Sequence, residues 1–252
     1  MPSPYADSTV EEWDGITQQL IANHPLSIEV ILEAALAAWH HLWATRIGDA
    51  ETGFELHQLD PPAQVVGYLF EKLFSKELAR RLPDDWVGGT GSQKDVHCLT
   101  DASMSIELKS SGQLGYKVYG NRSYGQQIEN ADAGKKDKSG YYITINFNGR
   151  TLTLLRFGWI DATDWQAQSA QTGQMAGLPD VVYKHKLVPI RGAYELDAPV
   201  GLLANIGPGK SAALADAGIR TIRDFVTARR DDLPRSTRGN HQAAIDKYRN
   251  LL

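Results

Sequence analysis

Gly91-Ser92-Gln93-Lys94-Asp95-Val96, followed by Met104-Ser105-Ile106-Glu107-Leu108-Lys109, is the stretch whose reading decides the fold. Residues 95–99 and 104–110 have strand character, and Thr100-Asp101-Ala102-Ser103 between them has turn composition. Strand side chains alternate, so Glu107 and Lys109 project from one face while Leu108 points to the other. A neighbouring strand brings Asp95 alongside Glu107. Two adjacent carboxylates repel unless a cation lies between them, and hard oxygen donors favour magnesium. Phosphodiester hydrolysis needs charge stabilisation on the phosphate, a nucleophile made from water, and help for the leaving oxygen. Magnesium on Asp95 and Glu107 meets the first and third needs, and Lys109 orients or polarises the water. The competing reading is a surface salt-bridge cluster of the same three residues.

Upstream, Asp60-Pro61-Pro62 opens a helix that should end before Pro83, with Val65, Val66, Leu69, Phe70, Leu73, Phe74, Leu78 and Leu82 as its apolar stripe. Glu71 lies at the margin of that stripe, and Glu77 on the same helix is its alternative. Residues 9–21 and 27–47 carry apolar residues at helical spacing, with Ser27 as N-cap and Gly48 as stop. Downstream, residues 141–147 and 151–157 read as strands joined at the hairpin signal Asn148-Gly149, and residues 182–191 as a further strand. A helix followed by a run of strands points to a mixed α+β core.

The connection from Gly112 to Gly140 is too long and polar to be a plain linker. It carries Tyr116, Lys117, Tyr119, Asn121, Arg122, Tyr124, Gln126 and Gln127. Arg suits the edge of guanine, Asn and Gln suit adenine, and aromatic rings pack on sugars or bases. Contact with phosphates alone is the other reading of the same loop.

The 252 residues have room for a medium domain plus a small one. A net charge of -4 argues weakly against a nucleic-acid partner, yet Lys210, Arg220, Arg223, Arg229, Arg230, Arg235, Arg238, Lys247 and Arg249 recur towards the C-terminus. One cysteine, Cys98, excludes an intramolecular disulfide, and no close His/Cys cluster suggests zinc. Asp101 competes with Asp95 but has the turn position to explain it. His97 should share a face with Asp95. The longest apolar stretch, residues 30–39, is too short to span a bilayer, and no basic start leads into an apolar run, so the expected setting is the cytoplasm with no membrane.

Asp95 with Glu107-Leu108-Lys109 resembles the PD-(D/E)XK nuclease signature. That resemblance implies a mixed central sheet flanked by helices, with Glu71 completing the metal shell or orienting its waters. Residues 104–147, with Glu107-Leu108-Lys109-Ser110-Ser111-Gly112-Gln113, Gly120-Asn121-Arg122-Ser123-Tyr124 and Tyr142-Ile143-Thr144-Ile145-Asn146-Phe147, are similar to type II restriction endonucleases of the ScaI kind. This implies a homodimer that recognises a short palindrome in double-stranded DNA and cuts both strands, with loop 112–138 as the reader. From Val200 to Ile219 the chain reads as two short helices around a glycine hairpin and resembles the helix-hairpin-helix motif, with Gly207, Gly209, Lys210 and Ser211 on the phosphate-binding positions. Pro208 departs from the aliphatic residue usual at the hairpin centre and removes a donor. The expected domains are a nuclease core over residues 1–197 and a DNA-binding module over 198–252. A repair nuclease reading DNA structure, a non-catalytic DNA-binding protein, and a protein-interaction role for the C-terminal module remain as alternatives.

Overall fold

Helices form where apolar residues recur at helical spacing and a capping group is in place. A computed structural model describes residues 2–121, 138–167 and 175–252. Helix α1 spans Trp13–Ala22 and α2 spans Ile28–Trp43. Ser27 Oγ accepts from the Val30 amide at 3.3 Å, a cap that contributes about 1 kcal/mol. Ile31, Ala34, Ala35, Ala38 and Leu42 form the buried face of α2. The helix ends short of the expected residue 47 because Arg46–Ile47 (β1) pairs instead with Phe54–Glu55 (β2) in a small antiparallel hairpin. Helix α3, Ala63–Arg81, stops before Pro83 as expected. Its buried line is Val66, Phe70, Phe74 and Leu78, at intervals of four, while Val65 is exposed.

The sheet follows. Strands β3 (Trp86–Gly88), β4 (Val96–Cys98) and β5 (Ile106–Ser111) pair antiparallel in sequence. After β6 (Gly120–Asn121) come the long strands β7 (Gly140–Asn148) and β8 (Thr151–Ile160), turned at Gly149-Arg150 where the hairpin signal lies. Strands β9 (Gln166–Ala167) and β10 (Met175–Gly177), helix α4 (Asp180–His185) and β11 (Leu187–Pro189) complete this part. The six-stranded central sheet has the order β11-β8-β7-β5-β4-β3, and a three-stranded one the order β6-β10-β9. The fold is mixed α+β with helices flanking the six-stranded sheet, as read from the sequence. Residues 182–191 are not one strand. Pro179 caps α4 with Asp180 in its first turn and Lys184 and His185 in its last, an arrangement that favours a helix until the chain extends at Leu187.

Two compact units are present. The first comprises Met1–Ser111, Lys117–Ile145 and Leu155–Ile190, and the second Gly112–Tyr116, Asn146–Leu154 and Arg191–Leu252. In the second, α5 (Pro208–Asp216), α6 (Ile222–Thr227) and α7 (Arg238–Tyr248) enclose Leu203, Ile206, Leu214, Phe225 and Tyr248. The helix expected before the glycine hairpin is a single 3-10 turn, Val200–Leu202, which leaves α5 as the one full helix there.

Long-range polar contacts fasten the first unit. The Lys186 ammonium is buried between Asp161 Oδ2 at 2.8 Å and Asp164 Oδ2 at 2.8 Å, with the rings of Tyr5 and Trp13 each 4.3 Å away. Ser3 Oγ donates to Asp161 Oδ2 at 2.9 Å, and Thr17 Oγ1 donates to the His185 carbonyl at 2.7 Å. Removing one member of such a buried ionic group costs about 3–5 kcal/mol, since its partners stay charged and desolvated.

His24 is packed among Trp86, Tyr141 and Phe157, donates through Nε2 to the Met104 carbonyl and accepts from the Leu26 amide at Nδ1. Burial holds its pKa below the ordinary histidine value. An unfolded chain protonates histidine near pH ~6.5, so below that pH the unfolded state binds more protons. The stability that neutral His24 contributes is therefore complete above about pH 6.5 and is lost as pH falls towards the depressed folded-state value. Thermal melts by circular dichroism should show the midpoint dropping as pH falls below about 6.5, with a shallower drop in His24→Gln.

Candidate active site

The register of β4 against β5 pairs Val96 with Ile106, which sets Asp95, one residue ahead of β4, opposite Glu107. Asp95 Oδ2 accepts from the Leu108 amide at 2.8 Å, so the aspartate is fixed on the β5 backbone itself. Glu107 is 4% exposed. Lys109 Nζ donates to Glu107 Oε1 at 2.7 Å and to the Leu108 carbonyl at 2.9 Å. The acids and the lysine of the signature are thus brought together, and their oxygens already hold one cationic group.

Helix α3 lies against β5 where Gly67 faces Ser110; a Cβ at Gly67 would stand 2.0 Å from Ser110 Oγ. One turn further, Glu71 is half-buried and accepts from Lys72 Nζ at 2.6 Å. That bond, reinforced more weakly by the Asp95 charge, raises the Lys72 pKa above its ordinary value. Lys72 was not singled out from sequence, because one exposed lysine on a helix carries no distinguishing signal there. Glu77, the alternative to Glu71, is buried and committed elsewhere: Arg80 lies 2.6 Å away, His41 3.4 Å and Arg81 3.6 Å. The hydrogen bond from Arg80 leads the causes that lower its pKa.

Asp101 accepts from the Ser103 amide at 2.8 Å, a turn contact, and Cys98 is a buried core residue. His97 turns to Ser105 Oγ at 3.1 Å. Of the expected reader residues, Tyr116 is exposed, Lys117 reaches Asp180 across 3.4 Å, Tyr119 is half-buried and Asn121 lies in β6. Arg122, Tyr124, Gln126 and Gln127 lie outside the described residues.

In the second unit Gly207 caps α5, Pro208 occupies its first turn, and Gly209, Lys210 and Ser211 follow. The left-handed turn residue is Asn205, with φ 63°, and Ile206 is buried, so the hairpin centres on Ile206, ahead of Gly207-Pro208-Gly209. Pro208 is no defect: at the start of a helix its missing N–H has no intrahelical partner to lose. Lys210 Nζ donates to the Asn205 carbonyl at 2.9 Å and to Asn240 Oδ1 at 3.0 Å, bracing the turn.

Among the described residues no three of His, Cys, Asp and Glu are clustered tightly enough to hold a metal ion by themselves. Asp95 and Glu107 still offer hard oxygen donors beside one another, and the Lys109 ammonium bound there shows that the spot favours positive charge. The donor set fits a divalent cation. Opposed carboxylates on adjacent inner strands, with a lysine two residues along the same face, are the groups that metal-assisted phosphodiester cleavage calls for.

Comparison with known proteins makes the class particular. The model of the family described as ScaI restriction endonuclease matches residues 3–191. The Type II restriction enzyme ScaI of Streptomyces caespitosus is 39% identical over 197 residues, covering 75% of this chain and 84% of that enzyme. The chain belongs to the ScaI restriction endonuclease family, and it is a site-specific endonuclease whose partner is DNA. No solved structure matches it. No helix among the described residues is long and apolar enough to cross a membrane.

A Cβ at Gly89 would lie 1.7 Å from the Lys94 carbonyl oxygen, a backbone atom that cannot rotate away. Gly89→Ala must therefore displace the chain next to Asp95. The expected outcome is cleavage reduced at least ~100-fold in a protein that still melts cooperatively, destabilised by about 1–3 kcal/mol. Plasmid digestion and a thermal melt of the same preparation check it.

Proposed function

We propose that this restriction endonuclease hydrolyses double-stranded DNA at a short palindrome with Mg2+ held by Asp95 and Glu107, and that it acts as a homodimer. The observation that carries the reading is the Asp95–Glu107 opposition, with Lys109 on the Glu107 carboxylate. A divalent ion follows from the family, and the all-oxygen donor set is what favours magnesium. When bound, it stabilises the charge on the phosphate and on the leaving oxygen.

The chain's own groups supply the rest. Asp95, bonded to the Leu108 amide, keeps its carboxylate at a fixed height above β5. Lys109 exchanges its hold on Glu107 for the attacking water, which its Nζ orients by hydrogen bonding. Glu71, one turn beyond the Gly67 contact, supports the metal shell once Lys72 releases it to meet a DNA phosphate. The segment 112–138 reads the sequence through Tyr116, Lys117, Tyr119, Asn121, Arg122, Tyr124, Gln126 and Gln127.

Residues 198–252 act as a helix-hairpin-helix module. The first-turn amides of α5, in Gly209 and Lys210 with Gly207 as cap and Ser211 behind them, face a phosphate. Such a contact adds affinity without choosing the sequence. Lys210→Ala should weaken binding to cognate and unrelated duplexes by the same factor, as read by fluorescence anisotropy at several salt concentrations.

Incubation of pure protein with supercoiled plasmid should give discrete bands with Mg2+ and none with chelator. Asp95→Ala, Glu107→Ala and Lys109→Ala should abolish those bands while largely sparing DNA binding. Full cutting by any of the three would refute the site, and a metal-dependent smear would point to a nuclease reading DNA structure.

A further inference from the structure

Helix α3 touches the sheet at two points. Gly67 meets Ser110 of β5, and Ser75 meets Gly88 of β3, where a Cβ would stand 3.2 Å from Ser75 Oγ. The helix between those contacts is about 12 Å long, enough to pass from β5 to β3 over β4, a distance of roughly 10 Å. Gly88 pairs with Val96, so α3 crosses β4 beside Asp95. Glu71, midway between the contacts, lies at the crossing with Lys72 next to it. Tyr68 and Ser75, seven apart, share one face of the helix. That face is covered at Ser75, 3% exposed, and open at Tyr68, 59% exposed.

Lys94, Lys109 and Lys72 adjoin the acids, and the first two are committed. Lys94 is 8% exposed and donates to the Ser139 carbonyl at 2.7 Å, and Lys109 holds both Glu107 and the Leu108 carbonyl. Lys72 differs. Its side chain is 46% exposed, and its Nζ donates to Glu71 Oε1 at 2.6 Å. The ammonium stands over the exposed ring of Tyr68, 5.4 Å from its centre. Asp95 is near enough for its charge to help hold the Lys72 proton. An ion pair between two neighbouring side chains at the surface is weak, so this ammonium can change partners at little cost.

We propose that Tyr68 and Lys72 form a DNA-backbone contact on α3, in which the ammonium passes from Glu71 to a phosphate flanking the one that is cleaved. The inference rests on the assignment of Asp95 and Glu107 to the cleavage site. Glu71 offers a single carboxylate, whereas a DNA strand offers a phosphate whose neutralisation also releases condensed counterions. The Tyr68 ring holds the ammonium at the surface by cation–π attraction, and its phenol is a second group able to donate to the backbone. Such a contact carries no sequence information. It sets the strand in place beside the acids.

DNA binding read by fluorescence anisotropy in chelator, on a duplex carrying the mapped cleavage site, tests this without any metal. Lys72→Met keeps the apolar stem and deletes the ammonium. It should weaken binding about 3–10-fold at low salt and reduce the slope of log affinity against log salt by about 0.9. The same loss is expected when Lys72→Met is made in a Glu71→Gln background. There a lysine whose sole task is to neutralise Glu71 has nothing left to do, and unchanged binding overturns the inference. A neutral methylphosphonate at one phosphate flanking the cut should weaken binding by the native protein and cost Lys72→Met nothing further. Independent effects at every flanking phosphate overturn the inference. Should Lys72→Met fail to fold, Lys72→Gln carries the same tests. Asp95→Ala alongside separates the failures: full cutting removes the site assignment and this inference together, whereas a dead Asp95→Ala beside unchanged binding by Lys72→Met removes only the inference.

Discussion

The hydrogen bond from the Leu108 amide to Asp95 Oδ2 is the contact on which the rest of the site depends. It does two jobs with one donor. It fixes the aspartate against the strand that bears Glu107, and it offsets part of the repulsion between two carboxylates that the register forces together. The Lys109 ammonium offsets more of it from the other side. A one-residue slip between β4 and β5 would turn Glu107 into the opposite layer and leave Asp95 facing Leu108. The register is held by Val96, Cys98 and Ile106, all buried, so the apolar core sets the geometry of the charged edge.

Much of this was legible in the sequence because it is locally specified. Ser27 acts through a side-chain cap three residues along, Pro83 and Asn148-Gly149 act through their own backbone geometry, and the Glu107-Leu108-Lys109 alternation follows from strand pleat alone. Glu71 against Glu77 was not legible, since both lie on one helix with basic neighbours, and only the fold shows Glu77 buried and held by Arg80, Arg81 and, from α2, His41. Residues 182–191 misled because Val182, Tyr183 and Leu187 satisfy an apolar pattern in either secondary structure, and the decision falls to Pro179 and Asp180. Lys94 was hidden for a related reason. A lysine in a glycine-rich turn reads as solvated, and its burial comes from residues 139–142, far away in the chain.

The ScaI family match ends at residue 191, and the helical unit takes up the chain from Arg191. That unit is organised around its own core, with Ile206 and Leu214 on either side of the hairpin turn at Asn205. Its turn is stiffened by Lys210, which spans from Asn205 to Asn240 on α7. Lys210, expected on a phosphate-binding position, has its ammonium turned to the Asn205 carbonyl and Asn240 Oδ1.

The Lys186 cluster bears on the order in which the protein is assembled during synthesis. Ser3, Tyr5 and Trp13 meet partners at Asp161 and Lys186, and Thr17 meets His185, so these residues are stabilised by partners made much later in the chain, among the last residues of the first unit. Translation supplies about 5–20 residues each second, which leaves α1 without its lock for roughly 10–30 seconds after it is made. Strands β3 to β5 are complete well before that. The acidic pair is therefore synthesised while that fastening is still missing, and the unit becomes fully fastened only when residue 186 has emerged.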